Sequence, residues 1–306
     1  MGVNVEKLIN KSLELLSQQH FDCMALAIID FKTKKYEAFE IENYDEVKLN
    51  PELYFDLASV TKPLTNSVTY LKYPEFFDAK MLLLLNHRAG LPMGGRLSKD
   101  SWREFLWQYD VKESETLYSD YSCLRTMLEI EKKSGKRLKD LCSFYFDKEL
   151  VYWLDKDPTL PSPITGWRNQ KLICGEVHDD NCYYIHEFIS HAGLFATVDG
   201  LSRSLIKLND ELQLLDQMRE NFKAHPEEQR YIAGFDRPTD LNNTLAGVGC
   251  SRETFGHTGF TGTSFWIDSN KNRGAVLLTN ATRSYWYERS GLTEMRKVLG
   301  EAIWKY

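Results

Sequence analysis

The sequence predicts an α/β protein of the α+β kind: an antiparallel sheet flanked by N- and C-terminal helices, with a mostly helical lobe inserted between its strands. Three observations lead there. Residues 3–18 carry apolar side chains at Val5, Leu8, Ile9, Leu13 and Leu16, the spacing of an amphipathic helix. Strand-length apolar runs joined by short polar turns occur near both ends of the chain, and turns this short join antiparallel strands. The stretch between them reads almost entirely as helix. Residues 1–306 therefore form one unit. Its α/β lobe spans about 1–70 and 231–306, and its helical lobe about 71–230.

Taken in order, Cys23 to Ile29 is a continuous apolar strand that ends at Asp30. The turn Phe31-Lys32-Thr33 leads to a second, loosely alternating strand from Lys35 to Ile41. An apolar helix opens near Ser59 and breaks at Tyr73-Pro74, and Asp78 is placed to cap a short helix from Met81 to Asn86. Residues 101–110, 121–133, 138–150 and 200–222 read as helices, with Pro- and Gly-rich loops at 158–166. Gly262–Asp268 and Gly274–Thr279 are strands joined by Ser269-Asn270-Lys271-Asn272. A final helix from about Tyr287 places Leu292, Met295, Val298, Leu299 and Ile303 on one face.

Composition narrows the partners. The chain is 42% hydrophobic and 27% charged, ordinary for a globular domain, and its net charge is −6. With no Lys/Arg-rich block, a nucleic-acid partner is not expected. Nor is a membrane span, since no apolar run nears the ~18 residues required. Met1 to Glu6 lacks the basic and apolar regions of a secretory leader, so with Met1 as the natural start the protein is expected in the cytoplasm. The six cysteines contain no Cys-x-x-Cys pair and read as free, mostly buried thiols. Cys174, His178 and Cys182 lack the second ligand pair of a zinc site, so neither a metal nor another cofactor is expected.

The chemistry centres on Phe55-Asp56-Leu57-Ala58-Ser59-Val60-Thr61-Lys62-Pro63. Residues three apart on a helix share a face, with Cβ atoms about 5–6 Å apart, so the Lys62 amine can reach the Ser59 hydroxyl. Pro63, which has no N–H, belongs in a first helical turn. The positive end of the helix favours an alkoxide or oxyanion at Ser59. This is the pattern of a nucleophile with its base, and also of a helix cap followed by a surface lysine. Three further stretches bear on that choice. Tyr118-Ser119-Asp120 precedes a helix and is either a packed aromatic or a phenol whose pKa a neighbouring lysine lowers. Gly256-His257-Thr258-Gly259-Phe260 is either a turn or a strand edge along which a substrate lies, with His257 and Thr258 adding side-chain donors. Ser190-His191-Ala192-Gly193, preceded by His178-Asp179, reads as a structural corner, and spacing leaves a Ser-His-Asp triad through His178 or His191 open.

In this order, Ser59-x-x-Lys62, Tyr118-Ser119-Asp120 and His257-Thr258-Gly259 resemble the serine β-lactamase and penicillin-binding protein superfamily. The chain looks most like the class C β-lactamase branch, with its D-aminopeptidases, D,D-carboxypeptidases and β-lactamase-fold esterases. Asn86-His87-Arg88-Ala89-Gly90-Leu91-Pro92 and the His191-Ala192-Gly193-Leu194-Phe195 segment look like that branch too. The resemblance implies that Ser59 is acylated and that Lys62 takes its proton, sharing the base role with Tyr118, which then protonates the leaving group. It also implies an oxyanion hole from the backbone N–H groups of Ser59 and Phe260, with Asp120, His257, Thr258 and Gly259 binding substrate.

Two departures shape the expected substrate. His257 stands where penicillin-handling members carry lysine, and an imidazole of pKa near ~6.5 is mostly neutral at pH 7. That favours a small neutral ester or amide over a free carboxylate. Asp120 replaces an asparagine, so it only accepts hydrogen bonds; it either pairs with Lys62 or selects an amine-bearing substrate. The expected function is thus a serine hydrolase, more an esterase than a β-lactamase or D-amino-acid peptidase. The contrasting expectation is a catalytically silent binding domain on the same fold.

Overall fold

The computed structural model describes residues 3–225, 229–284 and 288–305. The chain runs through α1 (Val3–Leu16), β1 (Met24–Asp30), β2 (Lys35–Glu42), β3 (Glu46–Lys48) and β4 (Phe55–Asp56). The helix bearing Ser59 follows as a 3-10 turn over Ala58–Val60, a wider π-type stretch over Pro63–Ser67, and α2 (Val68–Lys72). Next come α3 (Ala79–Leu85), α4 (Trp102–Trp107), α5 (Asp120–Ser134), α6 (Leu138–Cys142), β5 (Leu150–Tyr152), β6 (Ile164–Arg168) and β7 (Lys171–Cys174). After α7 (Asp180–Ile185), β8 (Leu194–Ala196), α8 (Val198–Leu212) and α9 (Leu214–Ala224), the chain returns through β9 (Tyr231–Ile232) and β10 (Phe235–Asp236). It closes with β11 (Thr254–Thr258), β12 (Ser264–Asp268), β13 (Arg273–Thr279) and α10 (Ser290–Trp304).

Eight strands form one antiparallel sheet in the order β3-β2-β1-β13-β12-β11-β10-β9, so both ends of the chain meet at the β1–β13 pair. β1 reads as a continuous apolar run because both its faces are covered. Met24, Leu26 and Ile28 pack with α1 and α10, including Leu8, Leu299 and Ile303. Ala25, Ala27 and Ile29 face the other way, into the core shared with α8 and the helical region. Small alanines on that side let α8 lie close against the sheet. The result is three layers: α1 and α10, the sheet, and α8 with the remaining helices.

Tertiary packing moved several expected boundaries. The 200–222 helix is two helices, because Gln213 adopts a left-handed conformation (φ +53°) and turns the chain between α8 and α9. α8 falls within the expected helical lobe by sequence but packs on the sheet, and one core joins the two regions. The 138–150 helix stops at Cys142, since Leu150 and Tyr152 pair with Ala196 and Leu194 in a second, three-stranded sheet. The last helix begins at Ser290, and Tyr287 lies outside the described residues. Asp78 does cap α3, accepting the Met81 N–H at 3.0 Å.

Candidate active site

Ser59 sits in a turn assembled from three separate segments. The preceding Ala58 holds a left-handed backbone conformation (φ +46°), a costly state for a residue with a Cβ. Asp56 secures it by accepting the Ala58 N–H at 2.8 Å and, through its other oxygen, the His178 N–H at 2.7 Å. Full burial, added to by nearby Asp179, pushes the Asp56 carboxyl up to about 6 despite those two donors. From the other side, Thr261 Oγ1 donates to the Asp56 carbonyl at 2.6 Å and Thr263 Oγ1 to the Leu57 carbonyl at 2.9 Å. These bonds seat the 259–263 turn, and with it Phe260, beside Ser59.

The 3-10 start explains the Ser59–Lys62 contact. Side chains three apart eclipse one another in a 3-10 turn, and Lys62 Nζ lies 2.8 Å from Ser59 Oγ. The amine is 4% exposed. It also donates to the His191 carbonyl at 2.9 Å and is ion-paired with Asp120 Oδ1 at 2.8 Å. Burial pushes this amine down, but the Asp120 carboxylate, together with Tyr118 and Cys123, holds the amine well above the ordinary lysine value. The pairing of Asp120 with Lys62, one of the two roles expected for that carboxylate, leaves Lys62 at rest as an ammonium.

Tyr118 is positioned by a segment whose purpose the sequence did not disclose. The loop after α3 templates residues 112–120 strand-fashion: the His87 carbonyl accepts Leu117 N–H at 2.9 Å, the Met93 carbonyl accepts Asp120 N–H at 2.7 Å, and His87 Nδ1 accepts Ser119 N–H at 3.2 Å. Burial pushes His87 down to about 3, so it is a neutral acceptor. Its ring packs 4.8 Å from that of Tyr118 and 4.6 Å from that of Tyr231. The Lys62 amine lies 5.1 Å from the Tyr118 ring centre. Burial keeps the phenol above the ordinary tyrosine value, although the neighbouring Lys62 ammonium pulls it down.

The third motif differs from expectation. His257 is buried, and its Nδ1 lies 2.8 Å from the Thr258 carbonyl, which only accepts, so the single N–H of the neutral ring is spent there. Burial pushes its pKa well below the usual histidine value. The expected side-chain donor is instead an acceptor, Nε2, buried without a partner. Gly259 serves packing: a Cβ there would lie 2.1 Å from Thr263 Oγ1 and 2.5 Å from the Leu57 carbonyl. Thr258 and Phe260 line the cleft, and Phe260 is 42% exposed.

His191 Nε2 lies 3.0 Å from Asp179 Oδ1 in the cleft wall, and among the described residues neither His178 nor His191 bonds to the Ser59 hydroxyl. Cys182 is buried against Tyr152 while Cys174 is exposed, and the described residues contain no cluster of three metal-ligating side chains. None of the described helices is long and apolar enough to cross a membrane. Ser59 and Phe260 border two cavities. One of about 420 Å³ includes Asp120, Asp179, Asp180 and His191 in its wall. The other, about 460 Å³, includes His257, Thr258, Arg289 and Arg296.

Residues 69–299 match the Beta-lactamase family, well over half of the chain. The chain belongs to the Beta-lactamase family. Membership places it in a serine hydrolase superfamily, although the matched span begins just after Ser59 and Lys62. Against N-acetylmuramyl-L-alanine amidase of Bacillus subtilis (strain 168) it is 25% identical over 323 residues, covering 81% of this chain and 72% of the relative. Simvastatin synthase from Aspergillus terreus superposes with a TM-score of 0.67 at 11% identity, covering 99% of this chain and 98% of that one. A beta-lactamase/D-alanine carboxypeptidase from Pseudomonas syringae gives 0.65 at 11% identity, covering 99% of both chains. Identities this low show a shared fold and nothing finer. The antiparallel sheet with its flanking helices is thus the Beta-lactamase fold.

Proposed function

We propose that this member of the Beta-lactamase family hydrolyses a small ester or amide through an acyl-enzyme on Ser59. The observation that carries the reading is the buried Lys62 amine 2.8 Å from the Ser59 hydroxyl, with the Tyr118 ring beside that amine, at the junction of two cavities. Resting Lys62 and Tyr118 both carry their protons, so the reactive form is the one that has lost a proton from this pair. Asp120 keeps the remaining proton on Lys62, which leaves the Tyr118 phenolate to accept the proton of Ser59. The Ser59 oxygen then bonds to the carbonyl carbon, and the carbonyl electrons move onto oxygen facing the N–H groups of Ser59 and Phe260. One such donor is commonly worth about 3–4 kcal/mol. Tyr118 returns its proton to the departing alcohol or amine, and water cleaves the acyl-enzyme by the reverse sequence.

An amidase among the relatives puts amides on an equal footing with esters. A fluorophosphonate probe tests the core of the proposal: wild type should label and Ser59→Ala should not. No labelling of wild type would point to a silent binding domain. Turnover of a chromogenic cephalosporin matching that of a short-chain nitrophenyl ester would make the chain a β-lactamase instead of an esterase.

A further inference from the structure

Asp120, Asp179 and Asp180 contribute carboxylates to the wall of the 420 Å³ cavity, and His191 contributes an imidazole. Two of the three charges are answered from behind the wall. Lys62 meets Asp120 at 2.8 Å, and Arg168 Nε meets Asp180 at 2.9 Å while its Nη1 holds Glu176. No lysine or arginine among the described residues pairs with Asp179. Its Oδ1 accepts the Cys182 N–H at 2.7 Å, which caps α7, and lies 3.0 Å from His191 Nε2. Burial pushes this carboxyl up, but His191, the Cys182 N–H and Lys62 together hold it well below the ordinary carboxylate range, so it is ionised at neutral pH. The Asp179 side chain is 30% exposed and opens on the cavity. His191 gives a second, independent sign. It is 1% exposed, and its Nε2 spends the N–H of the neutral ring on Asp179, since a carboxylate only accepts. Nδ1 is then a bare acceptor, buried without a partner among the described residues. A buried acceptor left unpaired is costly, and the cost ends when a donor arrives.

We infer that this cavity seats a substrate arm ending in a primary ammonium, paired with Asp179 and donating to His191 Nδ1, an inference that rests on the hydrolase reading above. An ammonium matches both features at once, since it carries the missing positive charge and three N–H donors. The same charges set where along the arm the cation sits. Lys62, itself an ammonium, lies 2.8 Å from the Ser59 hydroxyl and repels a cation on the atom next to the scissile carbonyl. Asp179 is separated from that amine by His191, whose carbonyl takes Lys62 and whose ring takes Asp179. The favoured substrate therefore carries its cation several bonds away from the reacting carbon, where Asp179 is near and Lys62 is not.

The test compares kcat/KM for nitrophenyl 6-aminohexanoate with that for nitrophenyl hexanoate, and for 4-(aminomethyl)phenyl acetate with that for 4-methylphenyl acetate, so that the arm is tried on the acyl and on the leaving side. A charge-assisted hydrogen bond to a partly exposed carboxylate predicts that at least one ammonium ester wins by about fivefold or more in wild type. Nitrophenyl glycinate, with its charge beside the carbonyl, should gain nothing over nitrophenyl acetate. Asp179→Asn keeps a capping oxygen for α7 and for His191 and removes only the charge, so the winning ratio should fall toward one there. A merely structural aspartate would leave that ratio in place, and an unchanged ratio overturns the inference. Direct binding is read by the melting temperature in pentylammonium chloride against equal sodium chloride, which should rise in wild type and stay put in Asp179→Asn. A wild type that favours the neutral esters, or that favours nitrophenyl 6-hydroxyhexanoate as strongly as the ammonium ester, also overturns the inference. Fluorophosphonate labelling intact in that same protein leaves the hydrolase reading standing. If no ester is turned over and Ser59 does not label, the hydrolase reading fails, and the pentylammonium melt still decides the cation site.

Discussion

Replacing Asp120 by asparagine removes one charge and almost no volume. The carboxylate lies 2.8 Å from the Lys62 amine. At an effective dielectric constant of about 20 that contact is worth about 6 kcal/mol before screening. Asp120 is 33% exposed, so solvent reaches its outer side; a discount of roughly half leaves about 3 kcal/mol, or about two pH units on the amine. The sign is downward, because burial of Lys62 is then opposed by one carboxylate fewer. In the variant the pair loses its proton at lower pH, and the proton comes from Lys62. The rate of fluorophosphonate inactivation, followed from pH 6 to 11, reports this directly. Wild type should be slow near neutrality and climb in the alkaline range. Asp120→Asn should climb about two pH units earlier and react about ten- to a hundredfold faster at pH 7.5. An alkaline limb that stays in place, or a neutral-pH rate that falls in a folded variant, would refute the claim that Asp120 keeps Lys62 charged.

Tyr118→Phe should cut acylation about 10²- to 10⁴-fold while barely altering the melting temperature, read by burst kinetics and calorimetry. Gly259→Ala should cost at least about 2 kcal/mol in denaturant unfolding and slow labelling of Ser59, because its Cβ would collide with Thr263 Oγ1 and the Leu57 carbonyl and push Phe260 out of place. Buried Glu40, pushed up to about 7 by desolvation, with Glu42 adding to the rise, binds its proton more tightly folded than unfolded. Its stabilising effect is therefore full below about pH 4 and lost as pH rises through about 7. Glu40→Gln should accordingly be neutral at pH 4 and gain up to about 3 kcal/mol at pH 8, measured by urea midpoints; equal midpoints at pH 8 would contradict this.

Local pattern alone determined much of this protein. The period of α1, the two-sided apolar run of β1 and the Ser59–Lys62 spacing depend on residues close together in the chain, whose periodicity and spacing are visible without a fold. The order of the three motifs was enough to suggest the family. Whatever depends on burial or on distant partners was decided only in three dimensions. Nothing local marks His87 as the residue that seats Ser119 and packs on Tyr118, since the two lie on segments joined by a long excursion. The charge of Lys62 could not be read from its type, because desolvation pulls it one way and its neighbours, Asp120 at 2.8 Å first among them, pull it the other. His257 was legible as a weak base but not as an acceptor, which follows from its bond to the Thr258 carbonyl. A side chain's chemistry is set by what surrounds it, and tertiary structure supplies those surroundings.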